Sequence, residues 1–298
     1  MKTIVIAGAS GFVGSSLSAF FSEHGWKVLT IGRSKADGTW NNQPSLVRAL
    51  EGADAVVNLA GKSVNCRFTE KNVKELIRSR VETTRALGDA IVLCKQPPRV
   101  WINAGGASIY HENVDDINDE FSPANGAGVM ADVARQWEEA LQISHTPLTH
   151  KVVLRITLVL GSQGGVYPIF RFLTRTWNGG AQGNGKHMMS WIHIRDLVRL
   201  ISTIIQQEDP PKIVNAAAPK PLSNKEFMLA FRKSLSTRLG IAAPAWLIKI
   251  GTAVLGVDSE LILRGMNVRS EIAERMNFVF EFPRLEAALE DLAMSKGK

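Results

Sequence analysis

Three glycines near the N-terminus have a spacing that suits phosphate binding. They form a G-x-x-G-x-x-G pattern with an alanine, a serine, a phenylalanine and a valine between them. In such a turn the first glycine bends the chain, the second lets backbone amides approach a pyrophosphate, and the third lets the next helix pack closely. Phosphates then lie at the positive N-terminus of that helix. We predict a dinucleotide site made by Gly8, Ser10, Gly11, Phe12, Val13 and Gly14; the alternative is a tight turn without a ligand.

A second group of residues could select the nucleotide. Residues 27–31 are predicted to form the next strand, and Arg33, Ser34 and Lys35 follow it. NAD(H) sites usually carry an acid here for the ribose 2′-hydroxyl, but residues 28–36 contain none. Because a guanidinium suits a 2′-phosphate and a carboxylate repels it, Arg33 and Ser34 favour NADP(H) over NAD(H). The alternative is that Arg33 is a solvated loop residue and either cofactor fits.

Small residues end a third predicted strand, which covers residues 54–59. Leu59, Ala60 and Gly61 stand at its carboxyl end. Ligands of parallel sheets bind outside this end of the strands. We therefore add these three residues to the candidate cofactor site.

The elements that must position these residues alternate along most of the chain. Buried strands are expected at 3–7, 27–31, 54–59, 99–103, 151–160 and 213–215, and helices after the glycine turn, at 69–94, at 131–143 and up to 205. This alternation predicts an α/β fold, a Rossmann doubly wound parallel sheet with a smaller, mostly helical C-terminal lobe. The predicted dinucleotide-binding domain is 1–165 with 186–215; 166–185 and 216–298 form the substrate-side lobe.

Composition limits the classes of function. The 298 residues include only two cysteines, too few for a disulfide framework, and no His, Cys, Asp or Glu set with metal-ligand spacing. No apolar run is long enough to span a membrane, and the chain begins with a core strand rather than a leader. The net charge of +7 is spread along the chain, which is weak evidence for nucleic acid. We expect a cytoplasmic protein with a small-molecule substrate and no metal, membrane or nucleic-acid partner, and leave a homodimer open.

The chain resembles the extended short-chain dehydrogenase/reductase superfamily. The nearest branch is the atypical NAD-dependent epimerase/dehydratase group, sugar-nucleotide epimerase-like proteins with a small C-terminal domain of unknown function. The similar pieces cover nearly the whole chain in similar order: 7–14, 54–61, 137–138, 154–160 and 191–196. The resemblance implies a nucleotide over the glycine turn and a substrate between the sheet and the C-terminal lobe.

The catalytic groups that this resemblance implies are missing. The superfamily uses a Tyr acid/base, a Lys four residues later that lowers the Tyr pKa, and a Ser or Thr that orients the substrate. Counting back from Trp137 puts the Lys position at Asp132 and the Tyr position at Gly128, while the Ser position falls on Gly106. Tyr167 lies in a glycine-rich segment away from these positions.

Replacement groups follow the fourth predicted strand. Ser108 and Tyr110 are our candidate catalytic residues, with Tyr110 as proton donor and Ser108 orienting the substrate. The alternative for Tyr110 is a structural packing role. His111 and Glu112 are interpreted as a solvated turn, and Asp132 as a helix-face charge. A structural role is also favoured for His193.

Two functions from different classes remain at this point. The first is an NADP(H)-binding epimerase/dehydratase-like or reductase-like protein acting on an unknown carbonyl or nucleotide-sugar substrate. The alternative is a catalytically silent NADP-binding sensor or scaffold. The missing Tyr–Lys pair favours the silent protein, while the glycine turn favours nucleotide binding in both cases.

Overall fold

The computed structural model describes residues 1–294. Its strands are, in chain order, Thr3–Ala7 (β1), Lys27–Gly32 (β2), Gly38–Thr39 (β3), Ala55–Asn58 (β4), Val100–Gly106 (β5), His150–Ile156 (β6), Leu158–Gly161 (β7), Gly164–Gly165 (β8), Met188–Met189 (β9), Trp191–His193 (β10), Ile213–Ala216 (β11) and Leu222–Ser223 (β12).

The helices lie between these strands and in the C-terminal region. They are Phe12–Glu23 (α1), Gln43–Leu50 (α2), Glu70–Val92 (α3), Val129–Gln142 (α4), Tyr167–Arg175 (α5), Ile194–Gln206 (α6), Asn224–Ser234 (α7), Ala245–Leu255 (α8), Glu260–Leu263 (α9), Glu271–Arg275 (α10) and Leu285–Met294 (α11). A short 3-10 turn, Ala107–Ile109, follows β5.

A seven-stranded parallel sheet forms the centre of the molecule. Its strand order is β11-β6-β5-β4-β1-β2-β3, and each neighbouring pair is parallel. The predicted doubly wound α/β sheet is therefore confirmed. Because all these strands point the same way, their carboxyl ends meet at one edge, where ligands of such sheets bind.

Both faces of the sheet are covered, which explains the continuous apolar runs in its strands. In β1, Ile4 and Ile6 pack with α1 and α6 on one face, while Val5 and Ala7 pack with α2, α3 and α4 on the other. Side chains alternate between faces along a strand, so a strand buried on both sides needs apolar residues at every position.

The C-terminal lobe has a core of its own, in which α5, α7 and α11 pack around aromatic side chains. Tyr167, Phe170, Phe227 and Phe231 make ring contacts there with centroids 5.2 to 5.8 Å apart. The predicted mostly helical character of this region is confirmed. The domain boundaries themselves stay a prediction.

One expected strand is divided in two. Residues 151–160 were expected to be continuous, but the chain leaves the main sheet at Thr157. The Thr157 backbone N–H and hydroxyl both donate to Ala216 O, at 3.2 and 2.7 Å. After this turn β7 joins β10 and β8 in a separate small sheet. The break depends on a partner 59 residues away, which local periodicity does not reveal.

Candidate functional site

The glycine turn lies at the carboxyl end of β1 and opens α1. Gly8 has a φ of +84°, and its carbonyl accepts a 3.0 Å hydrogen bond from Gly11 N–H. Gly11 precedes α1 without any side-chain cap. The first amides of a helix have no intrahelical acceptor, so those of Phe12 and Val13 can serve a ligand.

The three glycines have different steric surroundings. A Cβ on Gly14 would lie 2.3 Å from Gly8 O, and one on Gly8 would lie 3.0 Å from Ala60 N. Both glycines are therefore required for close packing of the turn, the helix and β4. A Cβ on Gly11 would approach only Gly8 O, at 3.3 Å, and Gly11 is exposed. We call residues 8–14 the glycine cradle: Gly8 and Gly14 let it fold tightly, and Gly11 leaves its outer face open to a pyrophosphate.

Arg33 and Ser34 are exposed beyond the end of β2, the strand next to β1. Within residues 1–294, no hydrogen bond or ion pair engages the Arg33 guanidinium. The nearest acid in sequence, Asp37, accepts hydrogen bonds from Thr30 N at 2.8 Å and Thr30 Oγ1 at 3.0 Å. A cation therefore remains available where a ribose 2′-substituent would be recognised, and the acid is bound to the strand.

Leu59, Ala60 and Gly61 follow β4 in a segment that is hydrogen-bonded to the end of β1 and to the last residue of β4 itself. Leu59 N donates to Ala7 O at 2.9 Å, and Ala60 N donates to the side-chain oxygen of buried Asn58 at 3.1 Å. The structure thus brings this turn against the glycine cradle. These residues meet as one surface at the carboxyl edge of β1, β2 and β4.

Behind this turn lies Arg80, which the motif analysis did not select. Its side chain is on α3 and only 8% exposed. A Cβ on Gly61 would lie 3.0 Å from its Cζ, and its guanidinium lies 4.9 Å from the centre of the Trp137 ring. The sequence pattern could have indicated Arg80, because it is a charged residue at helical spacing among the buried positions of α3. The other buried positions include Leu76, Thr84, Leu87 and Ile91.

Tyr110 is enclosed in a hydrogen-bonded network. It is 3% exposed, and its hydroxyl donates to Asn215 Oδ1 at 2.9 Å and accepts from Arg155 Nη1 at 2.7 Å. Arg155 also forms two 2.8 Å hydrogen bonds to the buried Glu138 carboxylate. Burial raises the Tyr110 pKa, although the charge of Arg155 opposes this. This environment favours the structural role over proton donation.

Ser108 is also engaged within the protein. Its hydroxyl donates to Met130 O at 3.1 Å, and its own carbonyl accepts from Arg264 Nη2 at 3.0 Å. Gly106, at the position of the expected serine, ends β5 and has no side chain to orient a substrate.

The position of the expected tyrosine is filled by two residues of the C-terminal lobe. Gly128 precedes α4 with a φ of +89°, and a Cβ there would lie 2.8 Å from both Glu260 Oε1 and Arg264 Nη1. The Glu260 carboxylate accepts hydrogen bonds from Val129 N at 3.2 Å and Met130 N at 3.1 Å. It caps α4, whose N-terminus favours negative charge. Asp132 is exposed and paired with Arg135, as a helix-face charge would be.

His193 is buried between the start of α6 and the C-terminal helix α11. His193 Nδ1 accepts from Arg195 N at 3.2 Å, and Nε2 lies 3.4 Å from Asp291 on α11. Burial lowers the His193 pKa to about 4, so the ring is neutral near pH 7. His111 and Glu112 are exposed, as the interpretation of a solvated turn requires, and Glu112 also accepts a hydrogen bond from Gly265 N in the C-terminal lobe at 2.8 Å.

Comparison with known proteins agrees with this geometry. The family model of the NAD dependent epimerase/dehydratase family matches residues 4–217. The chain belongs to the NAD-dependent epimerase/dehydratase family. A second model, a domain of unknown function named DUF1731, matches residues 243–292, the segment that carries Glu260 and Arg264. The family resemblance inferred from the sequence is confirmed.

Two relatives, one of them compared both in sequence and in structure, extend the comparison. The human epimerase family protein SDR39U1 is 30% identical over 295 residues, covering 97% of this chain and 99% of that protein. A crystal structure of human SDR39U1 (isoform 2) with NADPH has a TM-score of 0.89 at 29% identity, covering 98% and 99% of the two chains. A nucleoside-diphosphate sugar epimerase from Corynebacterium glutamicum has a TM-score of 0.77 at 26% identity, covering 99% of this chain and 60% of that one.

Among residues 1–294, no group of three or more His, Cys, Asp or Glu side chains could hold a metal ion. No helix in that range is long and apolar enough to cross a membrane.

Proposed function

We propose that this chain binds NADP(H) and lacks the ordinary acid–base chemistry of its family. One observation carries the proposal: the carboxyl edge of the sheet keeps an open glycine cradle, while lobe residues fill the position of the catalytic tyrosine. The catalytically silent NADP-binding protein, a sensor or scaffold, is the function that this arrangement supports best.

The nucleotide side supports binding. Gly8 and Gly14 allow the close turn, Gly11 leaves room for a pyrophosphate, and the first amides of α1 can donate to it. Arg33 and Ser34 would hold the 2′-phosphate, which makes NADP(H) the preferred cofactor. The human relative solved with NADPH supports the same choice.

The other side of the site lacks a proton donor at the required position. A bound nicotinamide would supply hydride transfer, and the protein would have to supply position and proton transfer. Among the predicted groups, Tyr110 uses its hydroxyl for Asn215, and Ser108 donates to Met130 O. General acid–base catalysis typically contributes about 10²- to 10⁴-fold, so its loss leaves at most slow turnover.

The first test compares binding with turnover in one preparation. NADPH and NADH are titrated by calorimetry, and the protein with NADPH is then assayed against nucleotide sugars and carbonyl compounds. We expect tighter binding of NADPH and no robust turnover. Failure to bind either nucleotide would refute the proposal, and rapid turnover would refute its silent character.

A slow epimerase or reductase acting on a carbonyl or nucleotide-sugar substrate is the second candidate. The likeness to the C. glutamicum nucleoside-diphosphate sugar epimerase favours it. In that case the sequence assigns proton donation to Tyr110 and substrate orientation to Ser108. Tyr110→Phe decides the assignment: turnover that survives this change excludes Tyr110 as the donor.

A further inference from the structure

We propose that Arg80 is an anion-binding residue of the cofactor cleft, whose guanidinium takes a phosphate or carboxylate oxygen of a ligand at the Leu59–Gly61 turn. The inference rests on the proposed function, since it treats this turn as part of the nucleotide site. The anion has two sources, the pyrophosphate of NADP(H) or an anionic substrate beside it.

The charge of Arg80 is buried without a compensating acid. Its one hydrogen bond within residues 1–294 runs from Nη1 to Leu76 O, at 3.0 Å, in its own helix. None of the carboxylates in that range lies within 4.0 Å of it. Burial lowers its pKa to about 10, although the Cys66 thiol opposes this, so the side chain stays charged near pH 7. A buried charge without a partner is costly to the folded state.

A second buried arginine shows how the same protein neutralises such a charge. Arg155 is 4% exposed, and it forms a two-bond pair with the Glu138 carboxylate. Arg80 is almost as buried but has no equivalent of Glu138 among the described residues. The difference indicates that Arg80 is kept for a partner outside the chain.

The place of Arg80 indicates which partner that is. Gly61 follows β4 at the ligand-binding edge, and a Cβ at this position would lie 3.0 Å from Arg80 Cζ and 3.2 Å from Nη1, so the guanidinium lies close behind the turn. Trp137 covers the guanidinium at 4.9 Å, and its indole N–H donates to Thr84 Oγ1 at 3.1 Å. The cation is therefore held in a fixed orientation beside the turn. Guanidinium groups bind phosphate and carboxylate oxygens through paired hydrogen bonds.

The test compares Arg80→Met and Arg80→Lys with Arg78→Met. Arg78 is a matched control, because it lies on the same helix but is exposed and paired with Glu75. Each protein is measured without ligand by thermal unfolding, then titrated with NADPH. UDP-glucose and succinate are titrated with and without saturating NADPH.

We expect Arg80→Met to unfold at the same or a higher temperature than the wild type, since it removes an uncompensated buried charge. It should also lose about 10- to 100-fold in affinity for the anion, the scale of a charge-assisted hydrogen bond. Arg80→Lys should lose less, and Arg78→Met should match the wild type. A loss for NADPH identifies the pyrophosphate; a loss only for UDP-glucose or succinate identifies an anionic substrate.

Three results would overturn the role of Arg80. One is that the Arg80 variants bind NADPH, UDP-glucose and succinate as tightly as the wild type does. Another is a lowered unfolding temperature with unchanged affinities, which marks a structural arginine. The third is failure of both Arg80 variants to fold. If the wild type does not bind NADPH, the proposed function fails, and the titrations without nucleotide still decide the role of Arg80.

Discussion

Two halves of one sheet edge have opposite characters in this protein. The nucleotide half, from Gly8 to Gly14 with Arg33, presents exposed backbone and an exposed cation without a bond to the described residues. The acid–base half, from Gly106 to Tyr110 with Gly128, is closed by bonds to α4, β6, β11 and the C-terminal lobe. The first half leaves its polar groups available for the proposed ligand, whereas those of the second half bond to other parts of the protein.

Under the proposed function, this difference means that nucleotide binding and proton transfer are separable on this fold. The glycine cradle would bind a nucleotide through backbone amides and through positions that carry no side chain. Substitutions elsewhere in the chain therefore leave it intact. Proton transfer depends on one side chain at one place. Here Glu260 and Arg264 lie against Gly128, the position that the sequence spacing gives to that side chain, and Glu260 caps α4 while it pairs with Arg264.

The strongest test of the contrast is to break the closed half at its ion pair. Arg155→Met leaves the Glu138 carboxylate buried without its partner, which we expect to cost about 3–5 kcal/mol of unfolding free energy. Arg135→Met, at an exposed pair with Asp132, should cost about 1 kcal/mol or less. Urea unfolding measures both. Equal small losses would show that the closed half is not held by this network.

The open half is tested by filling it. Gly11→Val should lower NADPH affinity at least about 100-fold, or about 2.7 kcal/mol, because its side chain takes the place of the pyrophosphate. Stability should change little, since a Cβ there approaches only Gly8 O. Gly251→Val is the control, at a helix position with nothing within 4 Å of the Cβ. A folded Gly11 variant that binds normally would place the nucleotide elsewhere.

Acid should weaken the lobe interface through His193. Its folded pKa of about 4 lies below the ordinary value of 6.5, so the unfolded chain takes up a proton that the folded chain excludes. The stability that His193 contributes is complete above pH 6.5 and falls by up to about 3 kcal/mol as pH drops towards 4. Asp291 and Arg195 are the charged groups beside the ring.

The measurement compares urea unfolding of the wild type and His193→Gln at about pH 7.5 and about pH 4.5. Burial raises the pKa of nearby Asp196, which has the opposite pH dependence, and the comparison of the two proteins cancels it. The wild type should lose more stability than the variant. Parallel losses would mean that His193 is protonated equally in both states.

The glycine turn could be predicted because all its determinants lie within one short continuous segment, residues 3–23. A buried strand, three glycines and an amphipathic helix define it without help from the remaining chain. The same is true of the main sheet, whose central strands carry local runs of buried apolar residues, such as Ile4 to Ala7 in β1 and Ala55 to Val57 in β4. The division at Thr157 was missed because it depends on Ala216, which belongs to another strand.

The closed half could not be read from the sequence for the same physical reason. Sequence spacing showed that the Tyr and Lys were absent, but not what replaced them. Glu260 lies 131 residues from the Val129 amide that it caps, and Arg264 lies 156 residues from Ser108.

Helix α2 was missed although Asn42 caps it and Pro44 stands in its first turn, signals that were present locally.

The smallest effect that we predict concerns the choice between two nucleotides. Arg33→Ala should weaken NADPH binding by about 1.5–3 kcal/mol, the scale of a hydrogen bond to a charged group, and leave NADH binding nearly unchanged. Arg48→Ala removes another exposed positive charge, on α2. It controls for the effect of the protein's overall electrostatic potential on nucleotide binding. Calorimetry with both nucleotides separates the cases. An equal loss for NADPH and NADH, or a loss matched by Arg48→Ala, would show that Arg33 attracts phosphate in general and does not recognise the 2′-phosphate.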